Sequence, residues 1–388
     1  MKMLYITQAE SDSGQFSWGD KAYVFGHEKK IRDQIEAFGA LGIDTDYYNK
    51  LEFKKADKLS IGVRVIRMLP HVQTYPKIIY TDAINGYDAY YIRFKGADYP
   101  FYRFLKTLRA NNPRAKILLE FPDMDYMQRL AQRVITVPLY WKNRHFLKKA
   151  EKLVDRSVTM NGSTRFLGFQ NIPIINGIVT RRIKLPENEK KTDDNSIHLG
   201  IVATFYPVHG ADILIEALHQ YYLRENNPRK IYLHIVGTGR HMDAYRETVK
   251  NYHLEDFVLF HGYLSDEPLD EVYAQLDIGV CEMAAFRRSY PISSALKCRE
   301  YLAKGLPIIS SVKNDAIQEG YPYFKVIDTS DGTFDMNEIA AFYDAIFKQK
   351  TVKEVREEIR NYAEKTVEMT LTLKPIAEYL SASESAEA

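Results

Sequence analysis

Ile231-Tyr232-Leu233-His234-Ile235-Val236-Gly237-Thr238-Gly239 is an apolar run of strand length that ends in glycines and passes directly into helical periodicity. Glycines at the carboxyl end of a parallel strand let a ligand approach the backbone, and the N-terminus of the next helix favours anionic groups. The spacing is not the dinucleotide fingerprint, because Met242 stands three residues after Gly239 where that motif needs Gly or Ala. A tight strand-to-helix turn without a ligand is the plainer alternative.

The same alternation runs outward in both directions. β-branched apolar runs at Lys2–Thr7, Asp44–Tyr48, Ala89–Arg93, Lys116–Phe121 and Arg156–Met160 are separated by helical stretches such as His27–Leu41, Tyr99–Ala110 and Leu139–Val154. Beyond a polar, aperiodic stretch at Thr180–Ser196 the pattern restarts at His198–Ala203 and continues through Val258–Phe260, Ile278–Cys281, Pro307–Ser310 and Phe324–Ile327. Alternating strands and helices imply parallel sheets covered by helices, an α/β fold. The 388 residues exceed the ~250–300 that one core serves, so two domains are expected. The expected division is 1–180, a linker over 181–196, a second domain over 197–365, and a C-terminal helix within 366–388 that returns to the first domain before a disordered tail.

The net charge of +2 hides a split. Residues 1–185 hold 31 Lys/Arg against 18 Asp/Glu, while residues 186–388 hold 22 against 33. A basic half joined to an acidic half suggests that the two meet different partners. Two cysteines, Cys281 and Cys298, exclude a disulfide framework and imply a reducing, cytoplasmic location. No apolar stretch approaches the ~20 residues that cross a bilayer, so any membrane contact is expected to be peripheral.

Ser293-Ser294-Ala295-Leu296-Lys297-Cys298-Arg299-Glu300-Tyr301-Leu302-Ala303-Lys304-Gly305 reads as a serine N-cap, a helix and a glycine stop. Hydroxyls and free amides at a helix start suit a diphosphate, and Lys297 in the first turn adds a positive charge beside it. Glu300 lies three residues on, along the same face, placed to accept from a ribose diol. The alternative is a solvated Lys/Glu pair on an amphipathic helix.

Gly237-Thr238-Gly239, His261-Gly262-Tyr263-Leu264, Asp277-Ile278 and Leu296 through Pro307, in this order, resemble the donor domain of GT-B glycosyltransferases of the large retaining family 4. With His209-Gly210-Ala211-Asp212, the chain looks most similar to bacterial enzymes of capsular and exopolysaccharide assembly. The resemblance implies two tandem Rossmann-like domains facing across a cleft, the N-terminal one binding the acceptor and the C-terminal one a nucleotide-sugar. It implies that Glu300 holds the donor ribose, Tyr263 and Leu264 flank the base, Ser293, Ser294, Ala295, Leu296 and Lys297 face the diphosphate, and Gly26 lets a loop close over it.

The departures concern the phosphate clamp. Ile292 stands where the family's first paired glutamate is expected, and Thr204 and His209 stand where its phosphate-binding Arg and Lys are expected. Lys297 and Arg287 are the replacement cations, with His209 donating a hydrogen bond or, if protonated, a charge. An oxocarbenium-like transition state leaves negative charge on the diphosphate, which Lys297, Arg287 and the helix amides would stabilise without a metal.

Two Asp-x-Asp triplets, Asp44-Thr45-Asp46 and Asp123-Met124-Asp125, lack a companion ligand cluster. Asp123 and Asp125, beyond the strand ending at Phe121, are candidates for an acceptor hydroxyl, or a solvated loop. Leu139-Tyr140-Trp141-Lys142-Asn143-Arg144-His145-Phe146-Leu147-Lys148-Lys149 interleaves aromatics and cations. With Phe53-Lys54-Lys55 and Arg64 to Arg67 it suits an anionic membrane surface or a polyprenyl-pyrophosphate acceptor, unless Trp141 belongs to the core. No nucleic-acid-binding motif accompanies it.

The expectation is a metal-independent glycosyltransferase of hexosyl type, at the inner face of the plasma membrane. It would move a sugar from a nucleotide-sugar, a UDP-sugar favoured, to a glycan or lipid-linked glycan with retention. A catalytically lapsed GT-B partner subunit and a sugar-nucleotide epimerase are the rival readings.

Overall fold

The computed structural model describes residues 1–8, 26–52, 69, 71–123, 125–160, 162–186, 195–224, 227–288 and 292–382. Two compact units emerge, Met1–Ile175 with Thr372–Ala388, and Asn176–Leu371.

The first unit contains β1 (Lys2–Thr7), α1 (Gly26–Ala40), β2 (Asp44–Tyr48), the short antiparallel pair β3 (Leu51–Glu52) and β4 (Lys77–Ile78), β5 (Ala89–Arg93), α2 (Tyr99–Asn111), β6 (Lys116–Glu120), α3 (Tyr126–Gln132), α4 (Val137–Ala150), β7 (Arg156–Thr159), β8 (Arg165–Phe166) and β9 (Phe169–Pro173). Its sheet order is β2-β1-β5-β6-β7-β9-β8, parallel except where β8 meets β9. Met3, Leu4, Tyr5 and Ile6 are all buried, as are Tyr90, Tyr91 and Ile92, which is why these strands are apolar throughout rather than alternating. Asp98 starts α2 by accepting from Phe101 N–H at 3.1 Å, with Pro100 in the first turn.

The second unit contains β10 (Ser196–Phe205), α5 (Ala211–Tyr222), β11 (Lys230–Gly239), α6 (Met242–Asn251), β12 (Val258–Gly262), α7 (Asp266–Gln275), β13 (Ile278–Val280), β14 (Ile292–Ser293), α8 (Leu296–Ala303), β15 (Ile308–Ser310), β16 (Lys313–Asn314), β17 (Phe324–Val326), α9 (Asn337–Phe347), α10 (Val352–Thr366) and only the first residues of α11 (Met369–Ser381). The main sheet runs β12-β11-β10-β13-β15-β17, all parallel. Chain order reverses between β10 and β13, so the carboxyl ends of those two strands form the switch point at which open α/β sheets take ligands.

The chain leaves the first unit at 175/176, ahead of the polar stretch read as a linker. Its first described part, residues 181–186, is held along α10. Arg360 donates to the carbonyls of Thr180 and Ile183, both at 2.7 Å, and Arg356 to that of Pro186 at 3.1 Å. Such side-chain anchoring of an aperiodic stretch leaves no periodic signal. From Thr372 onward α11 counts with the first unit, where Lys116 Nζ caps its last carbonyls, Tyr379 O at 2.8 Å and Leu380 O at 3.2 Å. The stretches 53–68, 187–194 and 383–388 lie outside the described residues, and with them Lys54, Lys55, Arg64, Arg67 and the tail.

Candidate active site

The loop after β10 is fixed to the loop after β13. Gly210 has φ +68°, and a Cβ there would lie 2.8 Å from the Met283 carbonyl carbon and 2.9 Å from the Ala284 nitrogen. The Met283 and Ala284 N–H groups donate to His209 O at 3.2 Å and Val208 O at 3.1 Å. Glycine in the His-Gly block is therefore dictated by the contact of two loops.

His209 Nδ1 accepts the Tyr206 N–H at 3.1 Å, so the neutral ring carries its proton on Nε2. Burial, with the charges of Lys297 and Arg288, pulls its pKa down to about 3. Of the two roles expected for His209, a neutral hydrogen-bond donor remains; a charged imidazolium does not fit this setting.

Lys297 lies in the first turn of α8. Its Nζ is buried and has no hydrogen-bond partner among the described residues. Burial lowers its pKa, partly offset by Cys281, Glu282 and Cys298 at the end of β13 and in the same helix turn. An ammonium so placed lacks the acceptor that buried charges normally have, and a ligand anion would supply it.

Arg287 is already engaged. It grips Asp212 with two bonds, Nη1 to Oδ1 at 3.0 Å and Nη2 to Oδ2 at 2.6 Å, and donates to Pro207 O at 2.8 Å. This fork ties the β13 loop to the first turn of α5, which accounts for the aspartate of the His-Gly-x-Asp block.

The start of α8 differs from the serine N-cap expected. Ala295 occupies the cap position without a side-chain cap, while Ser293 belongs to β14 and accepts the Ala295 N–H on Oγ at 3.2 Å. Ser294 O accepts from Asn176 Nδ2 at 2.6 Å, and Ser294 Oγ from Arg299 at 3.3 Å. The first-turn amides of Leu296 and Lys297 have no acceptor within the helix.

Arg299 is fully buried, a placement that nothing in its local sequence singles out by itself. Its guanidinium donates to Asn176 O at 3.1 Å, Ala295 O at 3.1 Å and Asn314 Oδ1 at 2.9 Å, and pairs with Asp315. It thereby fixes the helix start that carries Lys297. Tyr301 does the same from the next turn, its hydroxyl donating to Val280 O at 3.1 Å and accepting Val202 N–H at 3.0 Å. The available signal was Arg and Tyr on the buried face of an otherwise amphipathic helix, with Gly279 placed to admit the Tyr301 ring.

Gly237 and Gly239 have another cause than ligand access. β11 continues through them in register with β10, and a Cβ on Gly237 would lie 1.8 Å from Ala203 O, one on Gly239 2.6 Å from Phe205 O. Tyr263 is exposed and Leu264 half-buried after β12, and Glu300 is half-buried on α8. Gly26 opens α1. In the first unit Asp123 is held bidentately by Arg129, and Asp125 precedes α3 without capping it through its side chain. Asp46 pairs with Lys2 and accepts from Tyr87. Among the described residues no three His, Cys, Asp or Glu are grouped to hold a metal, and no helix is long and apolar enough to cross a membrane.

Residues 196–349 match the family model of the group 1 glycosyl transferases. That stretch contains every element of the switch-point site just described. No curated protein matches the chain. Among solved structures it is similar to Anabaena Alr3699/HepE, a protein solved in complex with UDP and glucose, at TM-score 0.58 and 14% identity over 99% of this chain and 100% of that one. It is similar to sucrose-phosphate synthase from Thermosynechococcus elongatus, at TM-score 0.59 and 15% identity over 98% and 99%. It is also similar to WaaG, a glycosyltransferase involved in lipopolysaccharide biosynthesis, at TM-score 0.56 and 14% identity over 98% and 100%. These likenesses run the full length of the chain and give it the GT-B fold.

Proposed function

We propose that the protein is a glycosyltransferase that moves a sugar from a nucleotide-sugar, a UDP-sugar favoured, to a glycan or lipid-linked glycan acceptor, with retention at the anomeric carbon. The observation that carries this reading is the ammonium of Lys297, buried and without a hydrogen-bond partner among the described residues, at the switch point of the group 1 stretch. Negative charge developing on the departing diphosphate would be met by Lys297, by the His209 Nε2–H and by the first-turn amides of α8. Glu300 would accept from the ribose, with Tyr263 and Leu264 beside the base. Arg287, bound to Asp212, would keep the two loops in place and lend charge at one remove. The UDP complex of HepE supports the choice of base, and WaaG supports a role in bacterial surface polysaccharide. The basic first unit would take the acceptor.

Thermal-shift measurements with UDP, GDP, ADP and CMP, with and without their sugars, test the donor assignment. A nucleotide at 100 times its Kd stabilises by about 2.7 kcal/mol. Lys297→Ala and Glu300→Ala should each diminish that shift; if both leave it intact, the site is wrong. Exposed Ile292 in place of an acid, together with the engagement of Arg287 by Asp212, supports a second reading, a lapsed enzyme that binds nucleotide without transfer. Nucleotide release from a bound sugar donor separates the two.

A further inference from the structure

The chain passes between the two units twice, at 175/176 and at 371/372. Just inside the second unit the two passages are laced together. Ile178 N–H donates to Val367 O at 2.9 Å and Met369 N–H to Ile178 O at 2.7 Å, a single parallel bridge between Ile178 and Glu368. The Glu368 carboxylate then accepts the Thr180 N–H at 2.9 Å and the Thr180 hydroxyl.

Asn176, the first residue beyond the first passage, joins this lacing to the start of α8. Its side-chain Nδ2 donates to Ser294 O at 2.6 Å, and its own carbonyl accepts Arg299 Nε at 3.1 Å. The same guanidinium holds Ala295 O at 3.1 Å, so one buried cation binds the passage and the cap position of α8 together. Ser294 and Ala295 directly precede the first-turn amides of Leu296 and Lys297. An asparagine needed only to turn the chain would bond its own neighbours. This one reaches a carbonyl 118 residues on. Two sites that share one set of bonds are linked in free energy, and the linkage is reciprocal. An anion that draws Lys297 and the first-turn amides into one arrangement therefore also orders the segment bonded behind them.

We infer that Asn176 is a positioning residue that couples the anion site at the α8 start to both passages between the units: it orients the helix start for the ligand, and the bound ligand in return stiffens the passages. The inference rests on the reading of that helix start as the diphosphate site.

Calorimetry with UDP and hydrogen exchange of the full chain test it. In the parent, UDP should slow exchange at 294–298 and also at 366–371, a stretch that carries none of the residues assigned to the donor. Asn176→Asp keeps the shape of the side chain and loses the donor to Ser294 O, so it should weaken UDP about tenfold and abolish the slowing at 366–371. Glu368→Ala unties the lacing and leaves the bonds of Asn176 to the α8 start in place. It should weaken UDP about threefold, and in the Asn176→Asp chain it should cost nothing further. A merely structural asparagine would lower the melting temperature of Asn176→Asp with UDP affinity intact. That result, UDP binding with unchanged exchange at 366–371, or additive effects of the two substitutions would each overturn the inference while the donor reading stands. If neither UDP nor pyrophosphate binds the parent, the donor reading fails and the coupling falls with it.

Discussion

In both units buried charged side chains stand at or just beyond the carboxyl ends of the central strands, and the two ends are built in opposite ways. In the first, Arg93 closes β5 and Glu120 closes β6. Arg93 Nη1 reaches both Glu120 oxygens, at 2.6 and 2.8 Å, Lys30 stands 3.9 Å away, and Tyr5 donates to Gln34 at 2.9 Å. Glu120 is wholly buried, and burial together with its charge pushes the phenols of Tyr5 and Tyr91 up. In the second unit the buried cation at the strand ends, Lys297, has no hydrogen-bond partner among the described residues, and its neighbour His209 is held neutral. A satisfied buried ion pair holds a fold; a buried cation lacking an acceptor costs stability and keeps a place for an anion.

The largest expected effect tests the satisfied end. Glu120→Ala leaves Arg93 buried without its carboxylate and should lower unfolding free energy by about 3–5 kcal/mol in denaturant titrations. The nucleotide-induced thermal shift of the surviving folded protein should be unchanged. A stability within experimental error of the parent chain would break the contrast, because the pair would then not be structural.

The unsatisfied end should respond the other way. Lys297→Met keeps the length of the side chain and removes the charge, so the protein without nucleotide should gain stability. The lowered pKa of Lys297 fixes the sign with pH. Between its folded value and the ordinary ~10.4 the unfolded chain binds more protons, so the parent gains stability as pH rises. The advantage of Lys297→Met should therefore shrink towards alkaline pH. Affinity for a nucleoside diphosphate should fall by about 2 kcal/mol, some thirtyfold, measured by calorimetry. A variant that is destabilised and still binds would make Lys297 a structural residue like Arg93.

Much of this was legible in the chain and some was not, for physical reasons. Strands such as Lys2–Thr7 and Ala89–Arg93 are apolar runs bounded by polar turns, and the parallel sheets follow from their alternation with helices. Lys297 and Glu300 could be nominated from the chain because helical spacing puts them on one face. Gly237 and Gly239 misled, since a glycine that admits a ligand and one that admits a neighbouring strand look alike in sequence. Arg287 looks in sequence like a cation open to a diphosphate because its partner, Asp212, is 75 residues away. Arg299 looks in sequence like any residue of an amphipathic helix because its acceptors, Asn176 and Asn314, are brought to it only by the fold.

His209 provides the smallest and sharpest test. Its folded pKa of about 3 lies below the ordinary 6.5, so from pH 6.5 downward the unfolded chain takes a proton that the native ring refuses. The stability His209 contributes is present above pH 6.5 and lost as pH falls towards 3. His209→Asn can still accept the Tyr206 N–H and does not titrate, so relative to the parent it should gain about 1–2 kcal/mol between pH 7 and 5 in urea titrations. Lys297 contributes to holding His209 neutral, so in a Lys297→Met background the gain, which in the parent keeps growing below pH 5 until the native ring titrates near 3, should level off at a higher pH and be smaller by the bottom of that range. An undiminished gain would mean that the two side chains do not share one electrostatic site, and the contrast between the paired and unpaired strand ends would then rest on Lys297 alone.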